Sequence, residues 1–148
     1  MHINITKDDF DLTREMNRFN HNKYNYGAIS IFIGKVRPEN GLKKMQIDCY
    51  PEMAQKEIKN VAEIARSRWT LDKIRIIHRY GLLKPNDNIV LLIIGSRHRA
   101  DCMSANEFIM DFLKSLAPFW KKEIYSDKEI WIEQNESDLK KLQQWENI

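Results

Sequence analysis

Cationic side chains that follow predicted strands, or that begin predicted helices, are the residues of this sequence best suited to chemistry. Lys35 and Arg37 come directly after an apolar run. Arg97, His98 and Arg99 lie between a predicted strand and a predicted helix, where free N–H groups and the helix dipole favour anions. This placement favours a phosphate or carboxylate site, although a solvated basic turn has the same pattern.

A second group of cations surrounds an aromatic segment at the end of a predicted helix. Lys114 precedes Phe119 and Trp120, and Lys121 and Lys122 follow them. Apolar surroundings lower the pKa of a lysine, which turns an inert cation into a base or a nucleophile. The alternative is that these lysines only complement the helix dipole, and that the two aromatic residues belong to the core.

Other chemistries have no pattern in this sequence. The four histidines are His2, His21, His78 and His98. None lies in an HExxH motif or at zinc-finger spacing, so we interpret them as isolated and predict no metal site and no cofactor. There is no GxSxG elbow for serine chemistry and no Walker loop for nucleotides. The two cysteines are isolated, which is typical of core residues in a reducing compartment.

Length, charge and hydropathy indicate one soluble, cytoplasmic domain. The 148 residues have a formal net charge of +3, too small an excess to indicate nucleic acid. The start of the chain has no signal-peptide core, and the longest apolar run, 89–94, is far shorter than the roughly 20 residues of a membrane span. We therefore predict a single domain over 1–148, with a polar tail from about 134 and no membrane contact.

The apolar periodicity predicts an α+β fold with one antiparallel or mixed sheet that carries its helices on one side. A capping box of Thr6 and Asp9 would begin the first helix. The predicted helices cover about 8–19, 51–67 and 99–116, the predicted strands 27–33, 44–50, 74–80 and 88–95, a closing hairpin 123–125 and 129–132, and a polar turn 20–26. Pro118 ends the third helix, and the tail over 137–148 has the composition of a further helix.

Several of these segments together resemble the molybdopterin synthase catalytic subunit family, whose fold is α/β-hammerhead-like. The resemblance covers about residues 25–133, in order and at the family's spacing. It rests on FIGKVR at 32–37, YPEMA at 50–54, HRYG at 78–81, SRHR at 96–99 and the segments FIMDFLK and APFWKKE within 108–123. Ile33 stands where the family commonly has Thr, and Arg97 where it commonly has Ala.

The resemblance implies a sulfurtransferase of molybdenum cofactor biosynthesis. It would convert cyclic pyranopterin monophosphate into molybdopterin, with sulfur taken from the C-terminal thiocarboxylate of a small, ubiquitin-like carrier that ends in Gly-Gly. It also implies a homodimer that forms a heterotetramer with two carriers, without nucleic acid. The implied roles are Lys114 and Lys121 as catalytic residues, Arg37, His98 and Arg99 as ligands of the phosphate and pterin, Lys35, Val36, Lys122 and Glu123 at the pocket border, and Phe32 and Met110 as its walls.

Helix length adds a prediction about assembly. Arg99 and Lys114 lie about 15 residues apart in one predicted helix, or roughly 22 Å at the rise of an α-helix. They cannot share one small pocket within a chain, so we predict a two-fold dimer whose site takes His98 and Arg99 from one protomer and Lys114 from the other. Two alternatives stay open: a non-catalytic module that binds a ubiquitin-like partner, and an RNA-binding domain. The latter would need exposed aromatics on a sheet face, whereas the aromatics here mostly fall on predicted buried stripes.

Overall fold

The chain folds into helices packed on two sheets. The computed structural model describes residues 1–20, 26–115, 118–133 and 136–146, and these contain four helices and eight strands. The helices are α1 (Leu12–Asn20), α2 (Pro51–Arg68), α3 (Arg99–Ser115) and α4 (Glu136–Glu146). The strands are β1 (His2–Thr6), β2 (Ala28–Lys35), β3 (Lys44–Cys49), β4 (Leu71–Arg79), β5 (Gly81–Leu83), β6 (Asn88–Ser96), β7 (Phe119–Ile124) and β8 (Glu129–Trp131). Residues 21–25 of the turn predicted over 20–26, and the predicted helix end at residue 116, lie outside the described residues.

Sheet A has the strand order β1-β4-β6-β2. Strand β1 runs parallel to β4, while β4 and β2 both pair antiparallel with the central strand β6. Every residue of β6 after Asn88 is buried, because its continuous apolar run has partners on both faces. Residue Asn88 lies beside Lys35 and Ser96 beside Ala28, so the two ends of β6 mark the two ends of β2.

Sheet B is antiparallel with the order β5-β3-β7-β8, so the prediction of one sheet was incomplete. The chain passes from sheet A to sheet B at Gly81, whose φ of 97° lies in the left-handed region that glycine adopts at little cost. After this glycine the chain leaves β4 and pairs as β5 with β3, over a segment that we predicted to be only a connection.

Helices pack on both faces of sheet A, so the prediction that they lie on one side of the sheet was wrong. Alternate residues of β4 and β6 form the main core with α2 and α3. The opposite face forms a smaller cluster in which Phe19 of α1 packs with Ile77, Leu91 and Ile93. The reason is the period of the strands: a continuous apolar strand exposes apolar side chains on both faces, and each face must be covered.

The start of the chain also differs from the prediction. Thr6 ends strand β1, and its hydroxyl accepts a hydrogen bond from the backbone N–H of Asp8 (3.1 Å). Asp11 begins the helix instead, because its carboxylate accepts from the N–H of Arg14 (2.9 Å). The predicted capping box of Thr6 and Asp9 was therefore wrong.

The polar tail contains helix α4, which docks against α2 and α3. Trp145 packs edge-on against Trp69 and Phe108, and its indole Nε1 donates a hydrogen bond to Asp111 (2.8 Å). Arg68 of α2 donates to the backbone carbonyl of Trp145 (3.0 Å). Helix α4 is thus part of the packed structure.

We expect the Trp145 contact to contribute to the stability of the whole domain. Trp145→Ala should lower the free energy of unfolding by about 3 kcal/mol, because it leaves a cavity against Trp69. Trp145→Phe keeps a ring and loses the bond to Asp111, so a loss of about 1 kcal/mol is expected. Urea unfolding measures both. The exposed neighbour Gln144→Ala is the control, and equal stability of this control and Trp145→Ala would contradict the docking role.

Candidate functional site

Strand β7 places two adjacent lysines on opposite faces of sheet B. Side chains alternate along a strand, so Phe119 and Lys121 share one face and Trp120 and Lys122 share the other. Lys122 ion-pairs with Glu129 (3.1 Å) and lies over the ring of Trp131 (5.1 Å to its centroid). The strand therefore separates a lysine that faces the protein from a lysine that faces outward.

The ammonium group of Lys121 lies in the most unusual electrostatic environment of the predicted site residues. Part of the side chain remains accessible, but burial of the ammonium lowers its pKa below the usual 10.5, and the nearby charge of Lys114 lowers it further. Asp138 opposes both effects. Since Lys114 itself is exposed in the last turn of α3, the desolvation that we predicted for this group falls on Lys121 rather than on Lys114.

His78 belongs to the same neighbourhood, although the sequence analysis gave it no role. Its imidazole stacks on the ring of Phe119 with the centroids 3.7 Å apart and the planes 10° from parallel. Burial lowers its pKa from 6.5 to about 3, and the charge of Lys121 adds to this effect. One sequence pattern could have identified it as an interior residue. His78 continues the two-residue period of the buried Ile74 and Ile76 along β4.

The end of β2 and the residue pair after it present two cations at the end of sheet A that also carries His78. Val36 is fully buried, donates its N–H to the carbonyl of Asp87 and accepts from Asn86 (2.8 Å each). Lys35 and Arg37 on either side of it are exposed. A buried side chain does not reach a ligand, so Val36 holds the segment in place while its two neighbours face solvent.

The remaining predicted residues near this end are placed as follows. Arg37 ion-pairs with Glu39 (3.8 Å), and Glu123 accepts a hydrogen bond from the hydroxyl of Tyr125 (3.4 Å). Phe32 and Met110 are partly buried and pack against the main core. We call the end of the fold that carries Lys35, Lys114, Lys121 and His78 the lysine end.

The basic turn, Arg97–Arg99, lies at the opposite end of sheet A. It follows Ser96, which pairs with Ala28 at the start of β2, and all of its side chains are exposed. The hydroxyl of Ser30 donates to the carbonyl of Cys102 (3.0 Å), which aligns the first turn of α3 with the start of β2. Helix α3 then runs toward the lysine end, so within one protomer His98 and Arg99 stay apart from Lys114.

The outer face of sheet B carries three exposed aromatic side chains, although the other aromatic residues that the structure describes are buried or half-buried, as expected. Tyr50, Trp120 and Trp131 are 65%, 49% and 53% exposed, and Leu82 beside them is 58% exposed. These side chains line a groove of about 820 Å³. A contiguous apolar surface of this kind is typical of an interaction site rather than of an isolated domain.

Two kinds of site were not found in the described ranges. No cluster of three His, Cys, Asp or Glu side chains there has the geometry to hold a metal ion. Nor does any helix in this part of the chain combine the length and the apolar character needed to span a bilayer.

Comparison with known proteins agrees with this architecture. Residues 5–116 match the MoaE protein family. The molybdopterin synthase catalytic subunit of Brucella melitensis is 42% identical over 147 residues (97% of this chain, 90% of the relative), and that of Haemophilus influenzae is 45% identical over 126 residues (83% and 84%). The solved structure of a molybdopterin biosynthesis MoaE protein from Burkholderia ambifaria superposes with a TM-score of 0.83 at 38% identity, covering 98% of this chain and 97% of that one.

The chain belongs to the MoaE family. The family inferred from the motifs is thereby confirmed, as are the α+β fold class and the prediction of an enzyme of the molybdopterin synthase type.

The environment of His78 makes folding sensitive to mild acid. Its folded-state pKa of about 3 lies below the ordinary 6.5, so the unfolded chain binds a proton first as the pH falls below 6.5, and stability is lost. Between pH 7 and pH 5 we expect this one group to reduce the free energy of unfolding by about 2 kcal/mol.

Urea unfolding of the wild-type chain and of His78→Phe at both pH values measures this contribution. The variant cannot titrate at this position, and every other group is common to the two chains. The free energy of unfolding of the variant should therefore fall less between pH 7 and pH 5 than that of the wild-type chain. An equal fall in the two chains would show that His78 binds a proton as readily in the folded state as in the unfolded state.

Proposed function

We propose that this chain is the sulfur-transferring subunit of a molybdopterin synthase and converts cyclic pyranopterin monophosphate into molybdopterin. The observation that carries this proposal is the pair of Lys121 and Lys114, of which the first is desolvated and the second exposed, in a chain of the MoaE family. An amine with a lowered pKa is a usable acid, base or nucleophile near neutral pH. No cysteine is needed, because the carrier brings the sulfur.

The charge of the reactants explains why such a site would be cationic. A thiocarboxylate and a cyclic phosphate are both anionic, and bringing them together costs Coulomb energy unless cations neutralise them. We assign catalysis to Lys114 and Lys121, with the phosphate and the pterin held by Arg37, His98 and Arg99. Lys35, Lys122 and Glu123 would border the pocket, with the buried Val36 holding the segment between Lys35 and Arg37 in place.

The proposed partner is a small, ubiquitin-like carrier whose C-terminal Gly-Gly thiocarboxylate enters the lysine end, within the cytoplasm. A tail of two glycines has no side chains, so it could approach Lys121, whose side chain remains partly accessible although its ammonium group is buried. The exposed aromatic groove on sheet B supports the presence of a protein partner, since such surfaces are typical of interfaces.

A homodimer would complete the site, and the edge of sheet A supports one. Strand β2 is the last strand of the sheet, and its side chains Ile29 and Ile31 are 36% and 44% exposed. An exposed apolar edge strand tends to pair with another strand. If two copies of β2 paired antiparallel about a two-fold axis, Ala28 of one protomer would approach Lys35 of the other, and each basic turn would reach the partner's lysine end. Two carriers would then complete a heterotetramer.

Removal of the Lys114 ammonium should abolish most of the activity. With a thiocarboxylated carrier and the cyclic monophosphate, Lys114→Ala should form dithiolene product at least about 100-fold more slowly, the usual loss for a general acid or base. Lys59→Ala, on the exposed face of α2, is the matched control and should retain the wild-type rate. Turnover of Lys114→Ala within about twofold of this control would favour the alternative of a non-catalytic binding module.

Complementation tests the shared pocket. His98→Ala and Lys114→Ala chains with different affinity tags should each form inactive homodimers, while the purified mixed dimer should regain about half of the wild-type rate. The reason is that one of its two pockets combines an intact His98 with an intact Lys114. No recovery in a mixed dimer of confirmed composition would contradict a pocket that spans two protomers.

A further inference from the structure

We propose that His78 is a positioning residue for Lys121: its ring, stacked on Phe119, fixes the inner face of β7 and keeps water from the lysine's ammonium group. This inference deepens the proposed function, on which it rests for the statement that Lys121 takes part in the reaction. The positioning itself rests on geometry within one chain.

The stack connects the two sheets at the lysine end. His78 lies near the end of β4 in sheet A, and Phe119 is the first residue of β7 in sheet B. Their rings are 3.7 Å apart and nearly parallel, and Lys121 projects from the same face of β7 two residues later. A shift of Phe119 would therefore move Lys121 with it.

One hydrogen bond fixes the orientation of the imidazole. The Nδ1 of His78 lies 2.9 Å from the backbone carbonyl of Arg79. A carbonyl oxygen can only accept, so Nδ1 carries the proton and Nε2 keeps its lone pair. The ring is then neutral at physiological pH, in agreement with a pKa of about 3, and adds no positive charge beside Lys121.

The charges that face Lys121 come from two helices. Lys114 of α3 lowers its pKa, and Asp138 of α4 raises it, while burial has the largest effect. The neutral imidazole of His78, from β4, also contributes to the environment of Lys121. Loss of the stacked ring should admit water, which solvates the ammonium and raises the pKa of Lys121 toward its usual value.

Two substitutions of His78 separate its stacking from its hydrogen bond. His78→Asn keeps a side-chain N–H donor but cannot stack, whereas His78→Phe keeps a stacked ring without a donor. The pKa of Lys121 in the full-length protein is measured by competitive labelling with acetic anhydride across pH, followed by peptide mass spectrometry, with the exposed Lys59 as internal reference. We expect His78→Asn to raise the pKa of Lys121 by about one unit or more and His78→Phe to change it by less than about half a unit.

An unchanged pKa of Lys121 in His78→Asn would overturn the proposal, and so would an equal rise in both variants, because the stack is retained in His78→Phe. If His78→Asn does not fold, Phe119→Leu removes the same stack from the other side and is expected to raise the pKa in the same way; no rise there would also overturn it. Labelling does not require turnover. A raised pKa with undiminished product formation would therefore leave the positioning intact and remove Lys121 from the proposed reaction.

Discussion

Strand β6 is the element on which the arrangement of the site depends, because both of its faces are buried and both of its edges are paired. Its nine residues extend over roughly 26 Å. Helix α3 returns over a similar length, and its start is aligned with β2 through Ser30. Any change of register would move a row of apolar side chains to the wrong face. The basic turn and the lysine end are therefore held at opposite ends of a rigid unit, and their cations cannot meet within one protomer.

Within the lysine end, the two-residue period of β7 gives adjacent lysines different chemistry. Lys122 points outward, where Glu129 and the ring of Trp131 stabilise its charge. Lys121 points inward, where burial and the charge of Lys114 favour the neutral amine. A bound anion would offset the repulsion between Lys114 and the protonated form of Lys121, so the same arrangement that lowers the pKa of Lys121 would favour an anionic ligand.

The elements that could be predicted from the sequence are those with their own local pattern. Helix α2 has a 3.6-residue apolar stripe with Pro51 in its first turn, and α3 has a similar stripe, so both were placed to within about two residues. Strands β1 and β5 are short, and they form because β4 and β3 offer them partners, which no local pattern indicates. The cations of the candidate site were identified by type. His78 was not, because its environment depends on Phe119, which is far away along the chain.

A histidine at position 78 meets three requirements together that phenylalanine, asparagine, glutamine and arginine do not. A phenylalanine would stack on Phe119, but the Arg79 carbonyl would lose its donor, and a buried group left unpaired costs about 1–3 kcal/mol. An asparagine or glutamine would donate without stacking, and an arginine would donate and stack but place a fixed positive charge beside Lys121. An imidazole whose pKa is lowered to about 3 stacks, donates and stays neutral, so Lys121 can lie near it without further repulsion.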